Sequence, residues 1–227
     1  ATHPRPAYAG TRPTMKHIDF YLDFISPYAH LAFEQLPRAL QGLSYEVTYR
    51  PILFAALLKH HGQLGPAEIA PKRDWTYRQV AWLAAQHGIA LQLPAAHPFN
   101  PIGLLRLAWA CARQGAPNRY VTETILHHVW RGGEAADDPA RLAALTATLA
   151  PAHDPASDAV KQALRSATDE AIAAGVFGVP SFRVDGRVFW GFDALPMLRA
   201  HLAGGAEGAA LDEAWSAPAG VAVGIRR

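Results

Sequence analysis

Two stretches of alternating residues, set apart by one helix-length segment, constrain this chain more than any other feature of it. From His17 to Phe24, the residues Ile18, Phe20, Leu22 and Phe24 fall on one side of an extended backbone, which is the spacing of a strand. Ser26-Pro27 then opens a helix. Serine is a favoured N-cap, and proline suits the first helical position because its missing N–H has no intrahelical partner there. Leu31, Phe33, Leu36 and Leu40 give this helix a broad apolar side, and Gly42 ends it. Alternation resumes from Ser44 to Arg50, with Tyr45, Val47 and Tyr49 on one side, until Pro51 stops it. The chain therefore opens with a β-α-β unit.

A long helical region follows. Segments 52–61, 71–87, 101–114, 119–131, 139–149 and 156–174 read as helices, with Asp138-Pro139 and Asp154-Pro155 as N-caps before a first-turn proline. Residues 89–100 hold Pro94, Pro98 and the run His97-Pro98-Phe99-Asn100, and read as an ordered loop. Strand character returns in 181–184 and 187–190, joined by Asp185-Gly186, a strong hairpin signal. Gly191-Phe192-Asp193 leads into a final helix, 194–203. The order β-α-β, helical block, β-β-α predicts an α/β chain with a thioredoxin-like fold and a large all-helical insertion. The expected division is a flexible tail over 1–14, a thioredoxin-like domain from 15–51 and 176–204, a helical insertion domain over 52–175, and a C-terminal tail over 205–227.

Composition narrows the function classes. The 227 residues are 50% hydrophobic and 18% charged, enough for a sizeable core. The net charge of +2 comes from scattered rather than clustered basic residues, which argues against nucleic acid as a partner. A single cysteine, Cys111, cannot form an intrachain disulfide or a C-x-x-C redox centre. One unpaired thiol fits a reducing compartment. The first residues carry no apolar core of a secretory signal, and no run of 18 apolar residues exists to span a membrane. The cytoplasm is the expected location.

The topology brings three features together: Ser26-Pro27-Tyr28-Ala29 at the start of the first helix, Val179-Pro180 before the hairpin, and Gly191-Phe192-Asp193 before the last helix. Taken alone, Ser26 and Asp193 are good N-caps, Pro180 ends a loop, and Lys72-Arg73 is a solvated helix face. The adjacent pairs His60-His61 and His127-His128 point about 100° apart on a helix and cannot chelate one metal as an i, i+4 pair does. Trp75, Trp82, Trp109 and Trp130 are expected in the core or a pocket wall. Cys111 is expected mid-helix as a buried small hydrophobe. No metal site is expected.

The ordered set of motifs resembles the family that holds 2-hydroxychromene-2-carboxylate isomerases and kappa-class glutathione transferases. The motifs are Asp23-Phe24-Ile25-Ser26-Pro27-Tyr28-Ala29-His30-Leu31-Ala32, Lys59-His60-His61-Gly62-Gln63-Leu64-Gly65-Pro66 with Lys72-Arg73, His97-Pro98-Phe99-Asn100, Phe177-Gly178-Val179-Pro180-Ser181 and Phe189-Trp190-Gly191-Phe192-Asp193. The resemblance covers about 17–203. It implies glutathione as cofactor, with its thiolate beside Ser26, where a helix N-terminus favours negative charge. It also implies a cis Pro180 that frees the Val179 backbone to pair with the extended peptide of glutathione. Asp193 would meet the glutamyl amino group beside Phe192, and Gln63 would contact the cofactor where relatives carry asparagine. Lys72 or Arg73, with Lys72 preferred, would reach the glycine carboxylate. Phe192 and Ala194 depart from the residues common at those places. Tyr28 and Asn100 would contact the substrate.

The implied activity is isomerisation of an aromatic-derived keto or enol acid of the 2-hydroxychromene-2-carboxylate type, in aromatic-compound breakdown. The thiolate adds to a conjugated carbon, the bond rotates, and elimination restores the alkene. The alternatives are a kappa-like transferase or peroxidase and a non-catalytic thioredoxin-like binding module. A homodimer is expected.

Overall fold

The computed structural model describes residues 15–217. The sheet is built first from β1 (Lys16–Leu22), α1 (Pro27–Ala39) and β2 (Tyr45–Pro51). β1 runs parallel to β2, from Lys16 opposite Tyr45 to Leu22 opposite Pro51. β3 (Ser181–Val184) lies antiparallel to β1, and β4 (Arg187–Trp190) antiparallel to β3. The order is β2-β1-β3-β4, the expected β-α-β and β-β arrangement in one sheet.

Its place inside the sheet explains why β1 is buried on both faces. Phe20 and Leu22 are fully buried, and Tyr21 on the opposite face is also covered. Asp19 beside it is paired with Arg50 of β2 at 2.6 Å, as a buried carboxylate requires. The Phe20 ring packs 4.6 Å from Phe182, and Phe33 of α1 packs 5.5 Å from Tyr49.

The insertion contains α2 (Phe54–His61), α3 (Ala70–His87), α4 (Ile102–Ala110), α5 (Arg119–Trp130), α6 (Pro139–Leu149) and α7 (Asp158–Ala173). Short 3-10 turns cover Pro66–Glu68 and Phe192–Ala194, and α8 (Leu195–Ala203) follows the second of these. Buried hydrogen bonds tie the insertion to the sheet. Trp109 Nε1 donates to the Pro51 carbonyl at 2.9 Å. Trp130, fully buried, donates to the Phe24 carbonyl at 3.0 Å. Among the described residues, no helix is long and apolar enough to cross a membrane.

Several expectations are corrected. Part of the tail expected over 205–227 is a helix, α9 (Gly205–Ser216). Its Leu211 is buried, and its Trp215 lies 5.2 Å from the Phe189 ring. The tail expected over 1–14 lies outside the described residues. Asp154 does not cap α7; its carboxylate accepts from Ala156 N within a turn, and Ser157 is the cap. α4 stops at Ala110, so Cys111 is its half-buried C-cap rather than a mid-helix residue. Trp109 and Trp130 are core, but Trp75 and Trp82 are each 61% exposed, because Val80 and Ala84 take the inner face of α3.

Candidate active site

Ser26 sits where β1 turns into α1. Its own N–H donates to the Asp23 carbonyl at 3.0 Å, and its Oγ accepts from Ala29 N at 3.2 Å. The residue is thus the N-cap that its sequence context predicts, and it is buried. A helix N-terminus concentrates unpaired N–H groups and positive potential at this hydroxyl.

A cavity of about 290 Å³ opens at Ser26, lined also by Pro27 and Tyr28 of α1, Phe54 and Leu58 of α2, and Val179 before β3. Arg73, Thr76 and Tyr77 come to it from α3, and His97, Phe99 and Pro101 from the loop before α4. The walls are mainly apolar; Arg73 is the cation among these residues. The Val179–Pro180 peptide is cis, and Val179 forms no backbone hydrogen bond among the described residues.

Beneath Ser26 lies Asp23, which is fully buried and also reaches the cavity. One carboxylate oxygen accepts from Ile25 N at 3.2 Å and the other from Phe54 N at 2.9 Å. Asp23 therefore ties the loop before Ser26 to the start of α2, a helix with no cap from its own N-cap residue. Burial pushes its carboxyl up to about 7, against the backbone N–H bonds of Phe54, Ile25 and Phe24, which favour the charged form. His30, one turn into α1, shows the opposite shift. Burial pulls its imidazole down to about 4, its Nε2 bonds the Ala90 carbonyl at 3.0 Å, and its Nδ1 has no partner among the described residues.

His97 closes the other side. Its Nε2 lies 2.8 Å from the Ile25 carbonyl, and its Nδ1 lies 2.8 Å from Tyr77 Oη. A carbonyl only accepts, so Nε2 carries the proton and Nδ1 accepts from the phenol. Burial holds His97 below the usual imidazole range and pushes Tyr77 above the usual phenol range.

The structure gathers Ser26, Tyr28, Arg73 and Val179 around one cavity, with Pro180 adjoining Val179. Other sequence candidates stand outside this lining. Lys72 and Gln63 are exposed, so Arg73 rather than the preferred Lys72 faces the cavity. Asn100 is also exposed, and its Oδ1 accepts from Ile102 N at 3.0 Å in the turn that leads into α4. Phe192 packs edge-on against His87, 5.1 Å away, in the small cluster with Leu31 and Val80. Asp193 is exposed in the 3-10 turn; its charge adds to the burial that raises the Tyr28 phenol. Sequence reading missed Asp23, Tyr77 and His97 as site residues. Asp23 and His97 lay inside motifs already quoted, but no local pattern marks Tyr77.

Away from the cavity, Glu34, Glu123 and His127 bring three ligand-type atoms within 4.8 Å of one another. Glu34 already accepts from His127 at 2.6 Å and from Arg131 at 3.0 Å, so its carboxylate is engaged by protein partners.

Comparison with known proteins finds relatives along most of the chain. The chain is 29% identical over 198 residues to the 2-hydroxychromene-2-carboxylate isomerase of Sphingobium xenophagum, covering 82% of this chain and 98% of that one. It is 27% identical to glutathione S-transferase kappa 2 of Caenorhabditis elegans, covering 84% of this chain and 93% of that one. A solved 2-hydroxychromene-2-carboxylate isomerase superposes with a TM-score of 0.72 at 25% identity, covering 82% of this chain and 94% of that one. These relatives are enzymes. The DSBA-like thioredoxin domain profile matches residues 17–203, and the chain belongs to that family.

Proposed function

We propose that this chain is a glutathione-dependent isomerase acting on a conjugated aromatic keto or enol acid of the 2-hydroxychromene-2-carboxylate type, in aromatic-compound breakdown. The observation that carries the reading is the position of Ser26: a buried hydroxyl at a helix N-terminus, opening into an apolar cavity. The chain's only cysteine, Cys111, caps α4 instead, so the thiol chemistry of this site has to come from a bound molecule. The residues present suit glutathione. Ser26 Oγ can donate to a thiolate, the Val179 backbone can pair with an extended peptide, and Arg73 can take a carboxylate. Asp193 lies toward Tyr28 and is the candidate for an amino group, while Gln63, Lys72 and Phe192 would contribute only through movement toward the cavity.

When bound, glutathione supplies a nucleophilic sulfur that adds reversibly to a conjugated carbon and so frees the bond to turn. The chain itself orients the partners and excludes water. Phe54, Leu58, Phe99 and Pro101 would hold the aromatic body, with Tyr28 at its edge. A second copy of the chain is the expected partner, and the outward Trp75 and Trp82 of α3 offer it an apolar face.

The test is Ser26→Asp, which keeps an N-cap but sets a negative charge against the thiolate. The variant should melt within about 1 kcal/mol of the parent, a typical cap effect, yet lose at least about 10- to 100-fold in turnover at saturating glutathione. Parental activity in Ser26→Asp would reduce Ser26 to a cap. Net consumption of glutathione during turnover would favour the transferase seen in kappa-class relatives. Absence of calorimetric binding at millimolar glutathione would favour a non-catalytic module. Insulin reduction above the rate with free glutathione would contradict the reading altogether.

A further inference from the structure

Beyond holding the cofactor, an isomerase of this kind must move a proton on its substrate. A 2-hydroxychromene carries its hydroxyl on the carbon bonded to the ring oxygen, so opening the ring removes that proton and delivers one to the phenolate left behind. Ser26 is committed to Ala29 N and to the sulfur, and Asp23 to two backbone N–H groups. A second polar pair faces the same cavity: Tyr77 and His97.

Their bonds run in one direction. The Ile25 carbonyl fixes the proton on His97 Nε2, which leaves the Nδ1 lone pair to accept from Tyr77 Oη at 2.8 Å, nearer than the other acceptor of that hydroxyl, the His97 carbonyl at 3.2 Å. The imidazole is packed between Phe99 and Trp130, with ring centroids 6.0 and 5.6 Å away, and cannot easily turn. Ile25 is the residue before Ser26, so the pair is anchored to the same loop as the proposed sulfur site. We propose that Tyr77 and His97 form a proton relay for the hydroxyl of a cyclic, carboxylate-bearing substrate, an inference that rests on the isomerase reading above.

The substrate hydroxyl gives its proton to Tyr77 Oη as the Tyr77 proton passes to His97 Nδ1. The freed electron pair forms the C=O, and the ring C–O bond breaks. The phenolate oxygen released takes a proton back from Tyr77 Oη, which regains its own from His97. Nothing is oxidised or reduced, and no proton is lost. Tyr77 touches substrate, and His97 acts through it. The charged groups around the pair are Arg73 and Asp74 on α3, with Glu68 and Asp23 on the cavity wall.

The experiment compares Tyr77→Phe and His97→Gln with the parent, using 2-hydroxychromene-2-carboxylate, glutathione titration and ¹⁵N NMR of the imidazoles. Tyr77→Phe should keep its melting temperature and glutathione affinity, lose about 100-fold in kcat, within the usual range for acid–base catalysis, and lose the acidic limb of the kcat profile. His97→Gln should lose the same limb. NMR should find His97 protonated on Nε2 in the parent, with the Nδ1 signal displaced in Tyr77→Phe. An active parent whose Tyr77→Phe variant keeps kcat and the acidic limb overturns the relay and leaves the isomerase reading standing. A parent that neither binds glutathione nor turns over overturns that reading. In that case a His97 protonated on Nδ1, or an Nδ1 signal indifferent to Tyr77→Phe, overturns the relay as well.

Discussion

The two long helices beside the cavity are held in opposite ways. α1 has 13 residues and buries seven of them, among them Leu31, Phe33 and Leu36, with Ser26 as a bonded cap. α3 has 18 residues and buries only Val80 and Ala84, starts without a side-chain cap, and turns two tryptophans outward. Local stability follows buried apolar contact. The wall that carries Ser26 is therefore the fixed one. The wall that carries Arg73, Thr76 and Tyr77 is free to adjust around a substrate. A site that must place one sulfur accurately and admit a bulky ring benefits from this asymmetry.

The sharpest way to break the comparison is truncation at each helix. Phe33→Ala empties a fully buried site on α1 against Tyr49 and should cost about 3–5 kcal/mol in chemical denaturation. A cost as small as that of a surface change would mean that α1 is not the anchored wall.

Next comes charge, since the fixed wall buries ionisable groups. Asp23, at about 7 when folded against 3.8 otherwise, binds the extra proton in the folded state, so its contribution falls as pH rises from about 4 to 7. His30, at about 4 when folded against 6.5 otherwise, binds it in the unfolded state, so its contribution rises as pH goes from about 4 to 6.5. Each is of order 3–4 kcal/mol at full extent, and in the parent the two oppose each other. Denaturation across this range should show stability rising with pH in Asp23→Asn and falling with pH in His30→Gln. Slopes of the same sign in both variants would remove the account.

The smallest effect is expected on the adjustable wall. At low protein concentration Trp82→Ser should change stability by no more than about 0.5 kcal/mol, and amides of α3 should exchange with solvent before those of α1. If Trp82→Ser lowers the melting temperature sharply at high protein concentration but not at low, the outward face of α3 is covered by a second copy of the chain.

These regions were also unequally legible. The four strands and α1 follow from alternation, from Ser26-Pro27 and from Asp185-Gly186, all signals within a few residues of the structure they specify. Ser26 and Val179-Pro180 could be located for the same reason. The length of α3 is legible, but Trp75 and Trp82, expected in the core or a pocket wall, turn outward, because a helix with few buried residues gives little sign of which face turns inward. α9 lies in a Gly/Ala-rich stretch and rests on one buried leucine and a tryptophan against Phe189, which leaves little pattern to read. The bond between Tyr77 and His97 spans 20 residues and that between His97 and Ile25 spans 72. Neither leaves any periodic trace, and so the polar side of the cavity stayed out of view.

Trp130 and His97 grip the carbonyls of Phe24 and Ile25, two neighbouring peptide units just ahead of Ser26. That grip governs where a chain of this kind can change its length. Extra residues at the exposed turn 113–115 would leave both anchors untouched. An added or deleted residue between Gly88 and His97 would pull the imidazole out of register with the loop it holds. Removing 52–175 altogether, although it reads as a separable insertion, would take away both donors together. Length is free where the chain turns in solvent and fixed where it returns to Ser26.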